Sequence, residues 1–164
     1  MKTKFLLILS IISFFTFSKS QTTEQITLAD YPNFYNQTIN KLNNIIPNKT
    51  NYYNQPLSNF LQVLSQNNLI IKAYDPGPFQ DNIIKLMLIG DAETTSTIWR
   101  NNYVDPYIKV TFQQSFNFQQ SQEIINQHHW FWNPTAENFY KNLIVKKIEF
   151  YNVNGITNKN SNPK

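Results

Sequence analysis

The chain contains no cysteine, which removes several chemistries at once. No disulfide framework can staple it, no thiolate can act as nucleophile, and no Cys-based zinc site can form. Glycine is almost as scarce, with three residues: Gly77, Gly90 and Gly155. Each falls at the boundary of an apolar run, so no Gly-rich phosphate cradle of the dinucleotide or P-loop type exists. There is no G-x-S-x-G elbow, no H-E-x-x-H helix and no Asp-rich calcium loop. An ordinary nucleotide-dependent enzyme is therefore not expected, and no cofactor or metal is implied.

A long apolar run is also missing. The most hydrophobic stretch, Phe5 to Phe17, covers about thirteen residues, whereas a membrane-spanning helix needs about twenty. Its length and flanks instead match a secretory signal. Lys2 and Lys4 precede it, and the small residues Ser18 and Ser20 follow it ahead of Gln21. Residues 1–20 are thus expected to be a signal peptide, cleaved to leave a soluble secreted or periplasmic chain with no membrane span. Cleavage changes the charge as well. The whole chain carries +4, but Lys2, Lys4 and Lys19 belong to the leader, leaving 11 basic against 10 acidic residues, a net charge of +1. The electrostatic case for nucleic acid disappears with the leader.

The remaining 144 or so residues suffice for one domain with a real core. Residues 21–32 read as a polar lead-in, 33–153 as the domain, and 154–164 as a flexible C-terminal tail. Tyr35, Thr38, Ile39, Leu42, Ile45 and Ile46 recur at helical spacing until Pro47. Pro56 opens a second stripe, Leu57, Phe60, Leu61 and Leu64, which stops near Asn67-Asn68. Leu69–Tyr74 and Ile83–Ile89 read as strands separated by Asp75-Pro76-Gly77-Pro78. Tyr107–Phe112 and Ile144–Val153 are two more, although Lys146 interrupts the apolar side of the last. Between them lie a helix over Gln119–Gln127 and one opened by Asn133-Pro134. The expected fold is α+β: a single antiparallel sheet of about four strands, helices on its apolar face, and a wet face bearing Lys72, Lys109, Lys147, Tyr74, Tyr107 and Tyr151.

Chemistry concentrates in Gln127–Asn133, which holds both histidines and two of the three tryptophans. His128 and His129 could serve as general base or metal ligands. Adjacent side chains diverge by about 100° on a helix, however, so a shared ion is disfavoured. The plainer reading is imidazoles at a helix C-terminus. Trp130 and Trp132 would share a face if extended, forming a platform for a sugar ring or a partner's apolar surface. Against this stands simple core sealing. Asp75, Asp81, Asp91, Glu93 and Asp105 fall in expected loops without the diagnostic spacing of a glycosidase pair.

The expectation is a non-enzymatic binding or interaction module for an unknown protein or glycan partner. Its contact residues would be His128, His129, Trp130 and Trp132, together with Trp99, Arg100 and Tyr103 from a long loop over Asp91–Asp105. The alternatives are an envelope hydrolase using His128 or His129 with Asp81 or Asp91, and a carbohydrate-binding module using Trp130 and Trp132. Asn36 and Asn48 head glycosylation sequons.

Overall fold

A computed structural model describes residues 25–77, 81–159 and 162–164. The expected leader lies outside the described residues. Two helices open the domain. α1 (Tyr31–Ile45) carries Pro32 in its first turn and buries Tyr31, Tyr35, Thr38, Leu42 and Ile45, one stripe at three-to-four spacing. Pro47 tightens the chain into a 3₁₀ segment over Ile46–Tyr52. α2 (Leu57–Gln66) buries Leu57, Phe60 and Leu64. It stops where Asn68 takes a left-handed φ of 53° and the Leu69 N–H returns to the Leu64 carbonyl, a local closure of exposed helix-end acceptors.

The sheet follows as β1 (Ala73–Asp75), β2 (Ile83–Met87), β3 (Tyr107–Phe112) and β4 (Val145–Tyr151). Its strand order is 1-2-3-4 and every pair is antiparallel. Between β1 and β2 the chain turns at Gly77, whose φ is 71° and whose N–H donates to Asp75 Oδ1 at 2.6 Å. α3 (Ala92–Arg100) links β2 to β3, and α4 (Phe118–His128) and α5 (Pro134–Tyr140) link β3 to β4. Asn133 caps α5 by accepting from the Thr135 and Ala136 N–H groups.

One face of the sheet and four of the helices share the main core. Tyr74, Leu86, Ile108 and Phe150 form a buried row across all four strands, and Ile84, Val110 and Ile148 form the next. Leu42, Phe60, Leu64, Ile125 and Tyr140 close over them. Tyr31, Tyr35, Ile89, Ile98 and Val104 make a second, smaller cluster joining α1 to α3.

Several boundaries differ from expectation, each for a tertiary reason. Tyr74 lies in the core, not on the wet face, because its register partner is Leu86. The first strand is confined to residues 73–75, since Leu69 closes α2 and Ile70 is 66% exposed. The run over Asp91–Asp105 is not a loop: Asp91 caps α3 by accepting from the Thr94 N–H at 2.7 Å. Lys146 is accommodated by a β-bulge. The pairing shifts register between Thr111 and Phe112, so Lys146 and Lys147 both face out while Val145 and Ile148 face in. The tail is also tied down, because Lys164 and Phe150 exchange two backbone hydrogen bonds and the Val104 N–H donates to the Ile156 carbonyl. At the other end, Ile26 in the expected lead-in packs against the second cluster.

Gly90, three residues after β2, is required for a steric reason. A Cβ there would sit 2.9 Å from Lys72 Cβ and 3.5 Å from a Phe131 ring carbon. Gly90→Ala is expected to cost about 1–3 kcal/mol through overpacking against the Lys72 Cβ, which sits on the backbone and cannot swing away like a side-chain tip. A urea midpoint unchanged from wild type would show that the junction has slack.

Candidate functional site

Asp91 caps α3, and residues 101–106 lead from the end of that helix into β3. This path brings Trp99 over the polar face. Its ring is 55% exposed, yet its indole N–H donates to Asp105 Oδ1 at 2.7 Å, which fixes the ring's orientation. Asp105 is itself anchored, because its carbonyl accepts from the Asn152 side-chain amide at 2.7 Å. Burial pushes the Asp105 carboxyl above its ordinary range, while the Trp99 indole, its own backbone N–H and Lys85 pull it back.

A cleft of about 510 Å³ opens between this helix end and the sheet. Trp99, Tyr103 and Asp105 line it from α3 and the residues after it, Asp75, Lys85, Met87 and Tyr107 line it from the sheet, and Lys159 lines it from the C-terminal segment. Strand pairing explains the sheet side. On the polar face Met87 pairs with Tyr107, and Tyr107 with Tyr151, so one row across the sheet is apolar or aromatic. The Tyr107 and Tyr151 rings lie parallel, at an interplanar angle of 3° and 4.8 Å between centroids. Burial and the neighbouring Tyr151 and acidic groups raise the Tyr107 phenol, so it remains a hydrogen-bond donor across the neutral range.

The adjacent row is fully charged. Asp75, Lys85, Lys109 and Glu149 face one another in register across the four strands, in the sign order minus, plus, plus, minus. Two lysines directly opposite would repel. Each has an acid on its outer side: Lys85 lies 3.6 Å from Asp75, and Lys109 lies 3.6 Å from Glu149, which also takes Lys147 at 2.8 Å. Glu149 is almost wholly buried. Burial would raise its carboxyl, but the Lys147 hydrogen bond and the two lysine charges hold it below the usual carboxylate range.

The residues singled out in the sequence divide into separate places. Trp99 and Tyr103 meet in the cleft, while Arg100 ends α3, exposed and outside the cleft lining. His128 ends α4, and His129 and Trp130 take left-handed φ values of 50° and 69°. These two residues reverse the chain so that Phe131 bridges Ala73, the Tyr74 N–H donates to the Trp130 carbonyl, and the Trp132 N–H donates to Lys72. The aromatic segment thereby covers the open edge of β1.

Trp130 and Trp132 do not form the conditional platform, and core sealing, the reading favoured over it, describes Trp132. Trp132 turns inward against Tyr74, at 5.5 Å edge-on, and Tyr140, while Trp130 stays 46% exposed. Among the described residues no hydrogen bond or ion pair joins either imidazole to a carboxylate, and no cluster of three or more His, Cys, Asp or Glu could hold a metal ion. No helix among them is long and apolar enough to cross a membrane.

Sequence reasoning missed Asp105, Asp75, Lys85 and Tyr107 as one constellation. A partial signal existed in Asp91, Glu93 and Arg100, a cap with acid in the first turn and base in the last. The intervening Thr94, Thr95, Thr97 and Ile98 obscured it, since β-branched residues weaken helix propensity. No protein-family model matches the chain, and comparisons with curated proteins and with solved structures find no match either.

Proposed function

We propose that this chain is an exported, non-enzymatic binding module whose ligand occupies the cleft between α3 and the polar face of the sheet. One observation carries the reading. A tryptophan more than half exposed is pinned by its own indole N–H in the lining of a cleft that Tyr107 also lines. Exposing a large aromatic surface forfeits burial, and ordering it in advance reduces the entropy lost when a ligand arrives. The composition of residues 1–20 supports export. The hydrolase alternative, His128 or His129 with Asp81 or Asp91, draws no support from the described residues, where neither imidazole makes a hydrogen bond or ion pair with either acid.

The test is a thermal-shift screen of a small-molecule and oligosaccharide library on the wild type and on Trp99→Ala. Trp99→Ala leaves Asp105 Oδ1 without its donor, so a loss of about 1–3 kcal/mol in unliganded stability is expected, and ligand effects are read against each protein's own unliganded Tm. At least one ligand should raise Tm in the wild type and lose that effect in the variant. Ligands that stabilise both proteins equally would move binding elsewhere, with the exposed Trp130 segment the next surface to examine.

A further inference from the structure

Resting on the proposed cleft, and going on to its ligand class, we infer that the cleft takes an uncharged sugar ring. Two carboxylates, Asp75 and Asp105, and two ammonium groups, Lys85 and Lys159, line it. Their charges balance. A small anion or cation would therefore meet as much repulsion as attraction, and would have to displace the Lys85–Asp75 pair at 3.6 Å to gain a partner. A hydroxyl group avoids that conflict, because it donates to a carboxylate and accepts from an ammonium without altering the balance. A polyhydroxylated ring carries several such groups at its rim, which suits a cleft whose charged side chains stand at its walls.

The aromatic geometry selects for a ring with an apolar face. The Trp99 N–H is already committed to Asp105, so the indole offers its π surface and no polar edge. Tyr107 also lines the cleft, its ring stacked on Tyr151. The C–H face of a pyranose carries partial positive charge and lies well against the negative face of an aromatic ring. A volume of about 510 Å³ is within the usual range for small-molecule sites and accommodates one or two sugar units. Binding is thus expected to come from ring stacking, with specificity from hydroxyl contacts to Asp105, Asp75 and Lys85.

Titration of the whole protein with cellobiose, maltose, xylobiose, mannobiose and chitobiose tests this, followed by calorimetry and by the indole N–H signal of Trp99 in NMR. Digalacturonate and a glucosamine dimer serve as anionic and cationic counterparts, with glutamate and spermidine as charged ligands that are not sugars. At least one neutral disaccharide should shift the Trp99 signal saturably. Its affinity should fall about tenfold or more in Trp99→Ala and remain unchanged in Trp130→Ala. Should the charged probes shift Trp99 while all neutral sugars fail, the sugar inference is overturned and the cleft remains a binding site. If neutral sugars bind but Trp130→Ala abolishes it and Trp99→Ala does not, sugar recognition lies elsewhere and the cleft assignment falls. Silence from every probe overturns the sugar class, leaving the library screen to judge the cleft.

Discussion

Tyr140→Ala is expected to destabilise the protein by about 4 kcal/mol, the largest effect of any single substitution considered. Tyr140 is fully buried and its ring meets five others: Phe139, Phe116, Tyr74, Phe112 and Trp132. Truncation removes that surface and leaves a cavity whose walls belong to β1, β3, α5 and the edge-covering segment, so no single element can collapse to fill it. Domains of this size have only about 5–15 kcal/mol in hand, so the variant would be marginal near body temperature.

Its hydroxyl adds a separable part. Tyr140 and Ser121 share a hydrogen bond of 2.5 Å, and Ser121 is fully buried. Tyr140→Phe should therefore cost about 1–2 kcal/mol by stranding the serine. Tyr74→Phe is the internal control. The Tyr74 hydroxyl is buried without a partner, and burial alone raises its phenol to about 12. Removing it should be neutral or stabilising. Urea denaturation of the three variants checks the set; a Tyr140→Ala loss below about 2 kcal/mol would contradict the five-ring packing.

Glu149→Gln is the second expectation, at about 1–2 kcal/mol at neutral pH, because the carboxylate is buried while its lysine partners keep 28% and 55% of their side-chain surface. The substitution leaves Lys109 and Lys147 without their shared counter-charge, and Lys109 still faces Lys85 across the ladder. The pH dependence has a definite sign. The folded carboxyl is held below its unfolded value, so its stabilisation is complete above the unfolded value and drains away as pH falls through the folded one. The gap between wild type and Glu149→Gln should thus be widest at pH 7 and narrow toward pH 3. Denaturation midpoints across that interval measure it. A gap of constant width would mean that the lysines do not set the carboxyl's ionisation.

The stability of the charge row bears on the cleft, because Asp75 and Lys85 belong to both. Weakening the row at Glu149 would free Lys109 and loosen the cleft wall one strand away. The same antiparallel ladder that builds the core on one face therefore aligns one side of the cleft on the other.

What could be read from the chain in advance follows a physical division. Tyr107–Phe112 was legible because its alternation puts Ile108, Val110 and Phe112 on one side without exception. The start of α5 was legible because a cap is a local contract between Asn133 and the two N–H groups just after it. In both cases the determining interactions lie within a few residues. Lys146 looked like a flaw for the opposite reason: a bulge exists only between two strands, and its partner, Phe112, lies far away in sequence.

Composition and order alone thus determined the absence of thiol and Gly-loop chemistry, the α+β alternation, most helix stops and the apolar side of β3. Only the tertiary structure decided that Tyr74 points inward, that the Trp130–Trp132 segment covers a strand edge, and that Trp99, bonded to Asp105, lines one cleft with Tyr107. Those outcomes depend on register and on helix placement, which sum many weak contacts between distant residues, and no local pattern encodes such a sum.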